Sequence, residues 1–334
     1  MLLRVALGRP VLTTSLAKTT FQVNFRQQPL LLRQFARDSR GSYIRTQLKQ
    51  KPTLKERILA PAGPNAFAIG KGALAGGSVL GLGALCYYGL GLGSQTNTLN
   101  NAMLWPEHVK QRIRSTYAYF GGSILISAAS AVAVFRSPRM MSLVSRNGFW
   151  SIMATMAAMI GSGMVTRSIP YEQGVGTKQL AWLVHCGILG AVIAPMCFLG
   201  GPILTRAACY TAGVVGGLSA VAVCAPSDKF LYMGGPLAIG LGVVFASSLG
   251  SMFLPPTTAL GAGLYSMSLY GGLLLFSGFL LYDTQRIIRK AETYPLYAAR
   301  PYDPINAAIS IYLDTLNIFI RIASILAGGG GRRK

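Results

Sequence analysis

Two carboxylates stand inside apolar runs that otherwise hold almost none. Asp283 closes the run LLLFSGFLLYD, and Asp314 lies within INAAISIYLDTLNIFIRI. A carboxylate at mid-bilayer costs about 2.5 to 3.5 kcal/mol on insertion scales, so acids placed there usually serve a function. Asp314 is the tenth residue of a run read from 305, about 14 Å in at 1.5 Å per residue and close to a membrane midplane. Asp283 falls near an interface by count, and deeper if its helix tilts. Two such groups brought together can hold a proton between them or offer oxygen ligands to a cation.

The last run adds a geometric argument. Asn306, Ser310, Asp314, Asn317 and Arg321 are spaced 4, 4, 3 and 4 apart, which places them on one face of a helix. A polar stripe on an apolar helix must face protein or water. Asp314 therefore points into a bundle, with Asn317 as a candidate hydrogen-bond partner and Ser310 and Arg321 as supporting groups. The stripe has two readings, a hydrogen-bonded seam between helices or a proton- or cation-binding site.

Composition defines the elements that carry these groups. Of 334 residues, 51% are hydrophobic and 12% charged, about half the charged fraction of a soluble domain. Apolar runs long enough to cross ~30 Å of hydrocarbon recur at roughly 72–93, 116–135, 148–166, 179–199, 203–225, 231–253, 259–282 and 305–327. Short links with turn signals such as Ser137-Pro138 and Gly200-Gly201-Pro202 join them. The fold expected is an all-α membrane protein, a polytopic helical bundle of eight spans, with the last run alternatively re-entrant. Lys and Arg are too evenly divided between the two sides to fix orientation. The first run carries Gly72-x-x-x-Gly76, Gly77-x-x-x-Gly81 and Gly89-x-x-x-Gly93, spacing that lets helices approach closely. No Gly-Lys-Ser/Thr follows, so it is not a phosphate loop.

The net charge of +22 does not imply nucleic acid as a partner, because it is unevenly placed. Residues 1–57 hold 12 Lys and Arg against Asp38 and Glu56, and most of the remainder lies between apolar runs, where membrane proteins keep basic residues. Cys86, Cys186, Cys197, Cys209 and Cys224 lie in apolar runs without a C-x-x-C pair, so neither a disulfide framework nor a zinc site is implied. His185 reads as a hydrogen-bonded bundle histidine and His108 as an interfacial loop residue. No catalytic constellation or resident cofactor is expected.

The segment from Met1 to about Arg45 is rich in Arg, nearly free of acids and without an apolar core of secretory length. A mitochondrial presequence fits, since the inner-membrane potential draws a basic amphipathic segment inward. Arg33-Gln34-Phe35-Ala36 resembles a matrix-processing site, which places cleavage roughly between residues 35 and 60, and a basic linker reaches residue 57. A basic tail on a membrane protein of another compartment is the other reading.

The stretch from Tyr282 to Leu326 carries Asp283-Thr284-Gln285, Tyr302-Asp303-Pro304-Ile305, Tyr312-Leu313-Asp314 and Asn317-Ile318-Phe319. It resembles the C-terminal signature of the Bax inhibitor family of calcium-leak membrane proteins. The resemblance implies a seven-helix core over about 110–327, preceded by the glycine-rich run within 66–93 as an extra transmembrane helix and followed by a basic tail at 328–334. It implies that Asp283 and Asp314 form a proton-sharing pair that gates and binds calcium, with Arg167 as the counterpart of the family's pore arginine. Calcium and protons are then transported ligands, and the surroundings are lipid and other inner-membrane proteins. Tyr282-Asp283 also suggests an intramembrane aspartyl protease, but the partner acid lacks Gly-x-Gly-Asp. A structural or anti-apoptotic interaction protein, its aspartates only holding the bundle together, is the remaining alternative.

Overall fold

A computed structural model describes residues 105–145, 148–225, 229–254 and 257–329. The segment expected to be a presequence, with the expected cleavage site at Phe35-Ala36, the expected basic linker, the glycine-rich run and the tail beyond 329 lie outside the described residues. The described residues form helices joined by loops, with no β-strand among them. The helices are α1 (Glu107–Arg136), α2 (Pro138–Val144), α3 (Phe149–Ser168), α4 (Thr177–Ile193), α5 (Gly201–Cys224), α6 (Gly234–Phe253), α7 (Ala259–Thr293) and α8 (Pro304–Gly329). A 3-10 turn, Ala194–Leu199, extends α4, and a π-turn, Met267–Gly271, interrupts α7.

Six of these, all but α2 and α3, are long and apolar enough to cross a membrane. Large apolar side chains such as Leu125, Ile239 and Phe253 face outward, which suits lipid as solvent. The chain is a polytopic all-α membrane protein. The run expected at 148–166 forms α3, which packs along α4 but stands outside that group of six. The last run is one continuous helix of 26 residues, about 39 Å long, and not re-entrant. Half of its apolar window is buried against 17% for α6, which makes α8 the central helix, flanked by α1, α5 and α7.

Two helices extend past their apolar runs. α1 begins at Glu107 rather than 116, and α7 continues to Thr293 rather than 282. The added turns are charged and bind one another. Arg112 Nη1 donates to the carbonyls of Ala291 (2.8 Å) and Tyr294 (3.0 Å), so a cation satisfies the last carbonyls of α7. His108 accordingly lies in the first turn of α1 and not in a loop. α1 and α4 cross closely at small residues. Ser127 and Ser130 donate to the carbonyls of Cys186 (2.9 Å) and Gly187 (2.7 Å), and a Cβ at Gly190 would stand 2.4 Å from the Ser127 carbonyl oxygen. In lipid such backbone contact replaces the hydrophobic drive between helices.

The start of α8 is fixed by Asp303. Its Oδ1 accepts from the Asn306 N–H (3.0 Å), the bond of an N-cap with proline following at the first helical position. Its Oδ2 lies 2.6 Å from Lys178 Nζ, which is 1% exposed and also donates to the Ile169 carbonyl at 2.8 Å. Asp303→Asn keeps the cap but leaves Lys178 buried without its counter-charge. It is expected to cost about 3 kcal/mol or more, read as a fall in melting temperature in detergent. Adding Lys178→Met should recover most of that loss.

Candidate ion and proton site

α7 and α8 run antiparallel and side by side, which brings Asp283 and Asp314 together. Both are buried, at 8% and 6% exposure, and their carboxyl groups lie within hydrogen-bonding reach of one another. Asp314 Oδ2 is buried with no donor. Two ionised carboxylates only accept, so this contact is complete only with a proton or a cation between them. Asp314 is the eleventh residue of α8, and Asp283 lies ten residues before the end of α7. Both are therefore well inside the bundle of helices.

The surrounding contacts set the rotation of both helices. Gln285, 1% exposed, accepts from the Phe230 N–H through Oε1 at 2.6 Å and so ties α7 to the segment after α5. On α8 the Tyr312 hydroxyl is hydrogen-bonded to Ser127 Oγ, which turns Tyr312 toward α1. Asp314, two residues on, is thereby turned to the other side of the helix, toward α7.

Cations stand near the pair without enclosing it. Arg286 Nη1 is 3.9 Å from Asp283 Oδ1, and its side chain is 64% exposed. Arg167, exposed in the last turn of α3, is close enough for its charge to act on Asp283. The main-chain carbonyl of Arg167 accepts from Asn306 Nδ2 at 3.3 Å.

The polar stripe of α8 divides among several partners. Asn317 does not hydrogen-bond Asp314: its Nδ2 donates to the Leu313 carbonyl (2.9 Å), and its Oδ1 accepts from Arg321 Nη1 (2.9 Å). Arg321 is drawn to the π-turn of α7, with Nε donating to the Ser268 carbonyl at 3.2 Å. Ser310, one turn before Asp314, is half-buried. His185 is a buried bundle histidine, its Nδ1 2.8 Å from Ser162 Oγ. An apolar cavity of about 670 Å³ between α1, α5 and α8, lined by Phe120, Val215 and Phe319 among others, offers too few oxygens to solvate a cation.

Among the described residues no group of three or more Asp, Glu, His or Cys could hold a metal. Calcium takes six to eight oxygens, so the pair alone would leave a calcium ion partly hydrated. Sequence reasoning missed Lys178, Arg286 and the structural use of Gln285. A lysine in the first turn of α4 was the legible signal, since a helix N-terminus disfavours positive charge.

Residues 109–331 match the protein family described as "Inhibitor of apoptosis-promoting Bax1". The chain is 57% identical over 284 residues to the growth hormone-inducible transmembrane protein of Rattus norvegicus, covering 84% of this chain and 82% of that protein. It is 29% identical over 236 residues to Bax inhibitor 1 of Rattus norvegicus, covering 68% of this chain and 91% of that protein. An uncharacterized membrane protein of Vibrio cholerae is 30% identical over 220 residues, covering 64% of this chain and 87% of its own length.

Proposed function

Because this chain belongs to the Bax inhibitor family of membrane proteins, we propose that Asp283 and Asp314 form the ion and proton site of a calcium transporter or channel. The observation that carries this reading is the buried pair of facing carboxyl groups, one oxygen of which has no donor. A proton joining them completes the contact and leaves no place for calcium. Loss of the proton exposes up to four oxygens to a divalent cation. The two ligands thus compete for one site, which couples calcium movement to protons. Arg286 and Arg167 act as mobile counter-charges at the mouth, and calcium and protons are cargo, with no catalytic chemistry and no resident cofactor.

The test is calcium uptake by proteoliposomes. Wild-type protein is expected to carry calcium, and Asp314→Asn to lose at least about tenfold of that flux, since it removes a ligand and fixes a neutral group at the site. A second reading is a structural or anti-apoptotic interaction protein without transport. It is favoured by the seam in which Tyr312 joins Ser127 and Arg321 joins Ser268. On that reading empty liposomes and wild-type proteoliposomes take up calcium equally.

The setting proposed is the mitochondrial inner membrane, supported by the basic, acid-poor leader. The mature protein is expected to begin between about residues 35 and 60, which N-terminal sequencing checks. An intact Met1 on the membrane-resident protein would sink the assignment.

A further inference from the structure

Arg321 lies on the same α7–α8 seam as the aspartate pair. It follows Asp314 by seven residues on α8, while Phe276, over whose ring its guanidinium stands at 4.5 Å, precedes Asp283 by seven on α7. The two helices therefore keep one register, and the cation sits two turns, about 10 Å, from the carboxylates, toward the end of α8. Its hydrogen bonds go to neutral oxygens: Ser268 O, Asn317 O and Asn317 Oδ1. Among the described residues it makes no ion pair.

The seat is built for this side chain. A Cβ on Gly272 would stand 2.0 Å from Arg321 Nε, so any side chain there would push the guanidinium from the place where it crosses α7. The π-turn Met267–Gly271 lies beside it, and such turns depart from the regular ladder and recur at functional sites. Ser268, whose carbonyl receives Nε, is held in turn by Ser248 of α6 through their hydroxyls at 2.7 Å. An arginine used only to fill space could be replaced by leucine at far lower cost in lipid. A permanent charge without a carboxylate partner has a field to exert.

We infer that Arg321 is the fixed cation that bars divalent cations from reaching the Asp283–Asp314 site from the membrane face where α8 ends, so that the site loads from the face of the α7–α8 turn. At about 10 Å and an effective dielectric near 20, a unit charge lowers the local concentration of a divalent cation by roughly two orders of magnitude. On the opposite side the cations differ, since Arg286 and Arg167 are exposed and can swing away. Arg321 thus acts on the selectivity and sidedness of transport and not as a ligand. The inference rests on the transport reading proposed above.

The full chain is reconstituted in one orientation by capture through a C-terminal tag, and calcium entry is measured from each face for wild type, Arg321→Met, Arg321→Lys and Asp314→Asn, with melting temperatures alongside. Arg321→Met is expected to raise entry from the α8-end face by about tenfold more than it raises entry from the other face, while Arg321→Lys behaves as wild type. A purely structural pin would instead give equal losses from both faces with a lowered melting temperature, and that result overturns the inference. If wild-type flux depends on Asp314 but Arg321→Met alters neither face, this inference fails alone. If wild type shows no Asp314-dependent flux, the transport reading fails and takes the inference with it.

Discussion

Asp314→Leu is expected to abolish calcium flux while the protein still inserts and folds. On insertion scales, exchanging a central aspartate for leucine makes a helix easier to place in lipid by about 3 to 4 kcal/mol. Membrane integration of α8 should therefore not suffer. The side chain's packing role is small, because the rotation of α8 is held by Tyr312 against Ser127 and its start by Asp303. What disappears is one of the two carboxyl groups, and Asp283 keeps Arg286 as a counter-charge at 3.9 Å. The measurements are calcium uptake into proteoliposomes, and melting temperature with size-exclusion profile for the fold. Loss of the folded protein would favour the structural seam, and undiminished flux would remove Asp314 from the site.

The second large effect concerns pH and follows from the same geometry. Ionising both members of a buried facing pair is disfavoured, by roughly 3 kcal/mol for a charge at this depth. One proton is therefore shared at the acid end of the range and must leave before calcium can bind between the carboxylates. Flux should rise as pH is raised from about 6 to 8, because deprotonation creates the calcium site. Asp283→Asn and Asp314→Asn should each weaken transport and flatten this dependence. Their combination should cost little more than either alone, because the two groups act as one unit. Additive losses, or wild-type flux indifferent to pH over that range, would show that they do not form a coupled pair.

Much of this site was legible in the sequence, because membrane spans allow few acids. Asp283 and Asp314 stood out by type and depth, and the 4, 4, 3, 4 spacing placed Asp314 inside the bundle before any packing was known. The partners of that stripe were not legible. Which neighbour Asn317 and Arg321 meet depends on the register between α7 and α8 and on the π-turn at Met267–Gly271, and neither leaves a mark in hydropathy. Helix ends were misjudged for a different reason. The first turns of α1 and the last of α7 are charged, so an apolar window stops short of them, yet Arg112 binds the Ala291 and Tyr294 carbonyls and joins both helices beyond their apolar runs. Lys178 was missed because its importance comes from burial against Asp303, 125 residues away in sequence.

The central claim is that calcium and protons exchange at one site, and it is tested most directly by watching protons move when calcium alone provides the gradient. Proteoliposomes carrying a trapped pH-sensitive dye are given an external calcium pulse at equal pH on both sides. With wild-type protein the interior should turn alkaline as protons leave in step with calcium entry, and with Asp314→Asn it should not change. Calcium entry through the wild type with no proton movement, or proton movement unaltered in Asp314→Asn, would contradict the account.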